Sequence, residues 1–448
     1  MPNTVTLEQM LEARERRARR QRELLGQYAL PLVSFSMNIA GPVKNSPLIR
    51  RGFAAGERML EEHLALSGCP PVFREVSDTD TGCEGLYVVG MDPAALKKLT
   101  CAIEEHSPLG RLFDMDVIAP DGRKLERAAP RRCLLCGRPA ASCARSRAHS
   151  VEELRAATEA LLTGSLRALD IETAAGLAVR ALLYEVAVTP KPGLVDRANS
   201  GSHTDMDFYT FLTSASGLWP YFADCVRTGM QTAEQSAPET LAALRFPGMQ
   251  AECAMRRATG NVNTHKGAIY SMGLVCGALG RLGRAQWREP ERVLQEAAAM
   301  AAGTVEKELR GAGTGTAGTP GERFFALYGV TGVRGEAENG FPSVLHHGLP
   351  VLEEGLARGM SPDEAGCAAL LSIIVSTADT NLISRGGIDG QRRASAELRD
   401  LLRTDPYPDK AAAEALDRAY IAQNLSPGGG ADLLALCFLL HFLREDCQ

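Results

Sequence analysis

The pattern of apolar residues changes near residue 150, and that change limits the fold more than any other feature of the sequence. Ahead of it, PLVSFSMNIA (residues 31 to 40) is alternating, β-branched and aromatic, and strands are also expected at Pro71 to Val76, Gly85 to Val89 and Leu112 to Ala119. Helices are expected from Leu7 to about Leu25 behind a Thr6/Gln9 capping box, from about Pro47, and from Pro93 to about Glu105. Beyond Ser150, which with Glu153 makes another capping signature, Ala, Leu, Glu and Gly recur at helical spacing with hardly a strand. A chain of 448 residues also exceeds what one hydrophobic core usually serves. The expectation is a multidomain protein, with an α+β domain over residues 1–165 and an all-α helical domain over residues 166–448.

Composition narrows the function classes. With 45% hydrophobic residues, 23% charged residues and a net charge of −5, the chain reads as soluble and globular, with no nucleic-acid partner. The start, MPNTVTLEQMLEARERRARR, has no apolar run behind its charges, and Leu433 to Leu443 is too short to span a bilayer. A cytoplasmic protein without a membrane segment is expected, and its twelve cysteines read as reduced thiols or metal ligands.

In the helical half, polar islands interrupt the helices. The densest is EVAVTPKPGLVDRANSGSHTDMD, Glu185 to Asp207, in which Pro-Lys-Pro and Pro-Gly corners would hold polar groups at fixed angles. GNVNTHKGAIYSMG, GVRGEAENGFP, STADTNLISRGG and NLSPGGGADLLA follow. Their cations (Lys191, Arg197, Lys266, Arg334, Arg385) and acids (Asp205, Asp207, Glu336, Asp379, Asp432) suit a nucleoside triphosphate carried with a divalent ion. Gly386-Gly387 and Gly428-Gly429-Gly430 would let backbone approach phosphate. GAGTGTAGTPGE lacks a Walker ending and is expected to be a lid or connector.

In the first half, the loop after residue 40 places Lys44, Arg50 and Arg51 ahead of a helix start, a setting for phosphate capture. Asp114 and Asp116 fall on one strand face, and two close carboxylates favour Mg2+, against a plain reading as exposed acids beside arginines. The arginines of the opening helix are expected on a solvated face. Cys133, Cys136, Cys143 and His149 form a C-x2-C-x6-C-x5-H array that would close a tetrahedral structural zinc site, although its middle spacing fits no standard finger.

Taken together, these motifs resemble two known families. Residues 171 to 448 resemble triphosphoribosyl-dephospho-CoA synthases, through the five islands in order. The first half resembles citrate lyase holo-acyl-carrier-protein synthase, a phosphoribosyl-dephospho-CoA transferase, through PLVSFSMNIAGPVKNSPLIRRGF, HSPLGRLFDMDVIAPDG and RRCLLCGRPAASCARSRAH. The resemblance implies a fused bifunctional transferase with a nucleotidyltransferase-like first domain. The helical half would join ATP to 3′-dephospho-CoA with loss of adenine, and the first half would load the product onto the acyl carrier protein of citrate lyase. Breaking an N-glycosidic bond needs a base, a proton donor and negative charge near the ribose. Asp205 and Asp207 are candidates for base or Mg2+ ligand, Glu185, Asp379 and Asp432 for further Mg2+ ligands, and His203 or His265 for the donor. Lys191, Arg197, Asn263, Lys266, Arg334, Glu336, Arg385, Gly428 and Gly429 would bind ATP, and Lys44, Arg50, Arg51 and Arg111 the triphosphate in the first half. The same prosthetic-group chemistry for malonate decarboxylase, and a non-enzymatic nucleotide- or zinc-binding adaptor, remain open alternatives.

Overall fold

The structure, a computed structural model, describes residues 3–310 and 320–446. Most of the glycine-rich lid or connector expected from the sequence therefore lies outside the described residues. The chain divides into two compact units, Met1–Leu169 and Asp170–Gln448.

The first unit is α+β. Its elements run α1 (Leu7–Tyr28), β1 (Leu32–Met37), α2 (Pro47–Leu66), β2 (Pro71–Thr79), β3 (Gly82–Val89), α3 (Pro93–His106), β4 (Phe113–Ile118), the short α4 (Ala140–Ser146) and the start of α5 (Val151–Ala187). Both arms of the Thr6/Gln9 capping box are made, and Ser46 caps α2 with Pro47 at its first position. The sheet is antiparallel in the order β2-β3-β1-β4. Phe35 stacks on Phe53 at 4.5 Å and meets Phe113 edge-on at 5.4 Å, with Val33, Met115 and Val117 beside them. Each such buried side chain stabilises the fold by about 2 kcal/mol. Because Phe113, Met115 and Val117 face this core, Asp114 and Asp116 share the other face of the edge strand, opposite Ser36 and Ser34 of β1.

The second unit is helical. It takes the rest of α5, then α6 (Phe208–Gly217), α7 (Trp219–Gln231), α8 (Ala237–Ala258), α9 (Lys266–Leu282), α10 (Pro290–Ala301), α11 (Pro320–Tyr328), α12 (Gly332–Glu338), α13 (Leu349–Ala357), α14 (Pro362–Ser376), α15 (Thr380–Thr404), α16 (Lys410–Ala422) and α17 (Gly428–Asp446). Helices α9, α14 and α17 are buried over most of their length. Close approach decides the α7/α9 pairing: a Cβ on Gly229 would stand 2.0 Å from the Gly277 carbonyl oxygen, and one on Gly280 2.1 Å from that of Val226. Among the described residues no single helix is long and apolar enough to cross a membrane.

Candidate active sites

In the second unit the polar islands meet around a cavity of about 300 Å3. Its inner wall carries Glu185 from the end of α5, Asp379 just before α15, and Asp432, the fifth residue of α17. Lys191 is 1% exposed, and its ammonium donates to Glu185. Asp379 accepts N–H bonds from Asn381 (2.7 Å) and Leu382 (3.2 Å) of α15 and from Gly430 of α17 (2.8 Å), so one carboxylate holds two helix starts together. Asp432 accepts from Ala268 in the first turn of α9. Gly267 makes room for it, since a Cβ there would stand 1.9 Å from Asp432 Oδ2. Burial lifts all three carboxyls above their usual range, and repulsion from Glu185 and Asp379 lifts Asp432 further. Two buried carboxylates and the half-buried Asp432 thus share one buried ammonium, and the excess of acids suits a divalent cation. Nearer the opening stand Asn263, Lys266 and Arg385, with Gly428 and Gly429 at the start of α17. Glu336 also lines the cavity, raised by burial and held by Ser343 Oγ at 2.7 Å.

Two histidines line this cavity with different roles. Arg385 Nη2 lies 3.2 Å from His203 Nδ1, and a guanidinium can only donate, so Nδ1 accepts and Nε2 donates to Ser426 Oγ at 2.9 Å. Burial and the Arg385 charge lower the His203 pKa. Both nitrogens of His203, the expected proton donor, are thus engaged, one by Arg385 and one by Ser426. His265 differs. Thr264 donates to the buried Ser214 Oγ at 2.7 Å, and Ser214 Oγ lies 2.7 Å from His265 Nδ1. In the tautomer whose Nδ1 accepts from Ser214, the imidazole proton is on Nε2, which is buried without a partner among the described residues. Burial, with Lys191 nearby, lowers the His265 pKa to about 3, so the ring stays neutral.

Several expected residues stand elsewhere. Asp207 is the N-cap of α6, accepting from Thr210 N at 2.8 Å and Thr210 Oγ1 at 2.7 Å, and these bonds hold its carboxyl below the usual range. Asp205 is exposed, 3.9 Å from His203 Nδ1. Neither lines the cavity, because the turn into α6 points them to solvent. Arg197 pairs with Asp363, and Arg334 with Glu308 at 2.7 Å, both outside the lining. Gly386 packs on Leu425, and Gly387, at φ +69°, kinks α15, so neither offers backbone to a phosphate in this cavity. The Ser214–Thr264 relay was missed in the sequence, where two hydroxyls in separate segments give no sign of contact.

The first unit has its own, larger cavity, about 1070 Å3. Lys44, Arg111 and Asp114 line it, and so do Arg14 and Arg17 of the opening helix, which the sequence placed on a solvated face. Burial and the neighbouring Arg14 lower the Lys44 pKa. Arg50 lies 3.9 Å from Asp78; neither it nor Arg51 is in the lining. The two β4 carboxylates separate in role. Asp114 faces the cavity and pairs with Arg131 at 3.1 Å, whereas Asp116 pairs with Lys124 outside the lining. Arg131 is the residue that sequence reasoning passed over. It bonds Asp114, the buried Glu104 (2.6 Å) and the Phe113 carbonyl (2.6 Å) at once, and its only sequence signal is its place two residues before Cys133.

The cysteine array does come together. The ligating atoms of Cys133, Cys136, Cys143 and His149 all lie within 4.8 Å of one another. Arg138 donates to Cys136 Sγ at 3.3 Å and lowers that thiol to about 5.

Known proteins share this two-part plan. Residues 171–448 match the CitG family, ATP:dephospho-CoA triphosphoribosyl transferase, and residues 5–164 match the CitX family, apo-citrate lyase phosphoribosyl-dephospho-CoA transferase. Protein CitXG of Haemophilus influenzae is 38% identical over 98% of this chain and 96% of its own length. Protein CitXG of Leuconostoc mesenteroides subsp. cremoris is 31% identical over 97% of both. The 2-(5''-triphosphoribosyl)-3'-dephosphocoenzyme-A synthase of Pectobacterium atrosepticum is 44% identical over 58% of this chain and 86% of that protein. Two family matches in the same order as in end-to-end relatives make this chain a member of the CitXG family, a transferase with a CitX part ahead of a CitG part.

Proposed function

We propose that the chain makes the citrate lyase prosthetic group in its second unit and attaches it in its first. One observation carries the first step: two buried carboxylates, Glu185 and Asp379, the half-buried Asp432 and one buried lysine form the floor of a cavity that Lys266 and Arg385 also line. That arrangement suits a metal-bound triphosphate and an electron-poor ribose better than it suits a neutral ligand. The 2′-hydroxyl oxygen of 3′-dephospho-CoA bonds to ribose C1′ of ATP, the bond from C1′ to adenine N9 breaks, and the hydroxyl proton ends on adenine. Asp432 takes that proton and passes it to adenine, since burial and the neighbouring Glu185 and Asp379 raise its pKa and it lines the cavity. His265 Nε2–H donates a hydrogen bond to the departing adenine, as a neutral donor and not as an imidazolium acid. Lys191, Lys266 and Arg385 hold the triphosphate, with Asn263 and the Gly428-Gly429 backbone beside them. Mg2+ would be held by Glu185 and Asp379, and it would supply charge neutralisation for the phosphates.

In the first unit, which we read as nucleotidyltransferase-like, a serine oxygen of the acyl carrier protein bonds to the α-phosphorus of the product. Pyrophosphate leaves. Arg111, Arg131 and Lys44 neutralise the phosphates, and Asp114 takes the serine proton. Asp114 and Asp116 already hold Arg131 and Lys124, so no step is assigned to Mg2+ there. The Cys/His cluster is assigned to a structural Zn2+, and the use of ATP and dephospho-CoA argues for a cytoplasmic location. The test is to incubate the protein with ATP, Mg2+, dephospho-CoA and apo carrier. Adenine release together with a carrier mass gain of one prosthetic group is expected; ATP binding without adenine release overturns the proposal.

A further inference from the structure

The segment from residue 119 to 150 is tied to the rest of the unit mainly by arginine ion pairs, Arg127 with Glu104 and Glu105 and Arg131 with Glu104 and Asp114, with Leu125 and Leu134 partly buried against the core. Among the described residues it contains two isolated bridges, Ile118 with Lys124 and Arg132 with Pro139, and the seven-residue α4. Its buried apolar side chains, apart from Ala119 at its edge, are Cys133 and Cys143. Ordering some thirty residues with so small an apolar core of their own is costly, and a bound ion would add stability there. The four-ligand cluster sits in this segment.

Its geometry is that of a metal knuckle. Cys133 N–H donates to the Arg138 carbonyl at 2.6 Å and Gly137 N–H to that of Cys133 at 3.3 Å, with Gly137 at φ +70° turning the chain. Both cysteines of the C-x2-C pair thereby face the cluster, Cys133 buried and Cys136 exposed. Cys143 follows on α4, and the left-handed Arg147, at φ +48°, turns the chain so that His149 returns to the cluster. Cys136 Sγ lies 3.4 Å from Cys143 Sγ and 3.3 Å from His149 Nε2. A tetrahedral zinc sphere with bonds of about 2.3 Å to sulfur separates its ligands by roughly 3.8 Å, so a small outward shift seats the ion. Four protein ligands leave no open position, which makes the ion structural and not catalytic.

The cluster also borders the reacting groups. Arg131 and Arg132 directly precede Cys133 and line the first unit's cavity, Arg131 holds Asp114, and Arg111 donates to the Arg132 carbonyl. We propose that a Zn2+ ion bound by Cys133, Cys136, Cys143 and His149 fixes Arg131 and Arg132 at the wall of this cavity, so that carrier modification needs the ion and adenine release does not. This role rests on assigning carrier modification to the first unit.

The experiment compares full-length wild type with Cys143→Ser, with Cys253→Ser as a remote exposed control. Wild type and the control should retain about one zinc per chain after chelator washing, and Cys143→Ser should lose it. Carrier modification should fall at least about tenfold in Cys143→Ser, the range for groups that orient a site through another residue, while adenine release stays within about twofold. Amide exchange over residues 111–116 and 131–149 should accelerate with zinc loss, a readout independent of activity. Stripping and restoring Zn2+ in wild type should switch both effects reversibly. Less than about a tenth of an equivalent of zinc, or a Cys136–Cys143 disulfide in active protein, overturns the metal site. Zinc loss with unchanged carrier modification and unchanged exchange overturns the positioning role. Zinc-loaded wild type that leaves the carrier unmodified, but shows the zinc-dependent exchange, sinks the functional assignment and leaves the metal role standing.

Discussion

His203 and His265 line the same cavity, yet only His265 keeps a nitrogen for a ligand, because Arg385 and Ser426 take both nitrogens of His203. Replacing His265 by Ala should slow adenine release by about 100–1000-fold, the usual weight of one positioned donor. Since the folded pKa is about 3 against 6.5 unfolded, the folded state binds fewer protons between those values. Stability due to this group is therefore full above pH 6.5 and is lost as pH falls toward 3. By pH 5 the wild type should lose about 2 kcal/mol relative to His265→Ala, measured by urea unfolding at pH 7.5 and 5. An equal loss in both proteins removes the buried neutral histidine. Asp432 has the opposite sign: its folded pKa is raised, so its charge destabilises the ligand-free protein as pH rises above the ordinary carboxylate range. Asp432→Asn should be more stable than wild type at pH 8, converge with it toward pH 4, and release almost no adenine. Asp207→Asn should behave like wild type in rate and stability, because Asn caps a helix as well as Asp does. A collapse of adenine release in that variant would return Asp207 to the mechanism.

The starts of α9, α15 and α17 are fastened by Asp379 and Asp432, so these helices set the cavity's shape through their first turns. Gly267→Ala tests this, since its Cβ would stand 1.9 Å from Asp432 Oδ2 and the short carboxylate has to turn away. Adenine release should fall by about 100-fold, in keeping with a reacting group displaced by an ångström, while the helical circular dichroism is kept. Unchanged kinetics would show that the carboxylate orientation is immaterial. The elements themselves were largely legible. Alternation in PLVSFSM and in FDMDVI, the caps at Thr6 and Ser150 and the helix start at Pro47 led to strands and helices found within a few residues of expectation. Glu185, Lys191, Asp379, Asp432 and His265 were legible too, since they stand where helices begin or end around the cavity. What misled was local sequence: TDMD looks like a metal pair, yet the second Asp is spent on the Thr210 cap and the first points to water. Long-range partners such as Arg131 with Glu104, or Thr264 with Ser214, depend on which segments pack together, and spacing along the chain does not encode that.

At the scale of the molecule, each unit holds its own hydrophobic core and its own cavity, lined entirely from within that unit. The chemistry proposed for each is complete without residues of the other, and the product of one is the substrate of the other. Asp114→Ala should therefore release adenine at the wild-type rate and accumulate triphosphoribosyl-dephospho-CoA, because Asp114 stands only in the first cavity. Asp432→Asn should make no intermediate, yet load the carrier when that intermediate is supplied. Mixing the two variants then separates two ways of passing the intermediate. If it leaves into solution, the mixture restores carrier modification, with a lag that shortens as protein concentration rises, since transfer between chains is bimolecular. If it passes only within a chain, the mixture stays inactive although each variant performs its remaining half-reaction. Two self-contained cavities favour the first outcome. Carrier mass followed over time in the mixture decides it, and an inactive mixture would mean that fusion of the two units is a requirement of the chemistry.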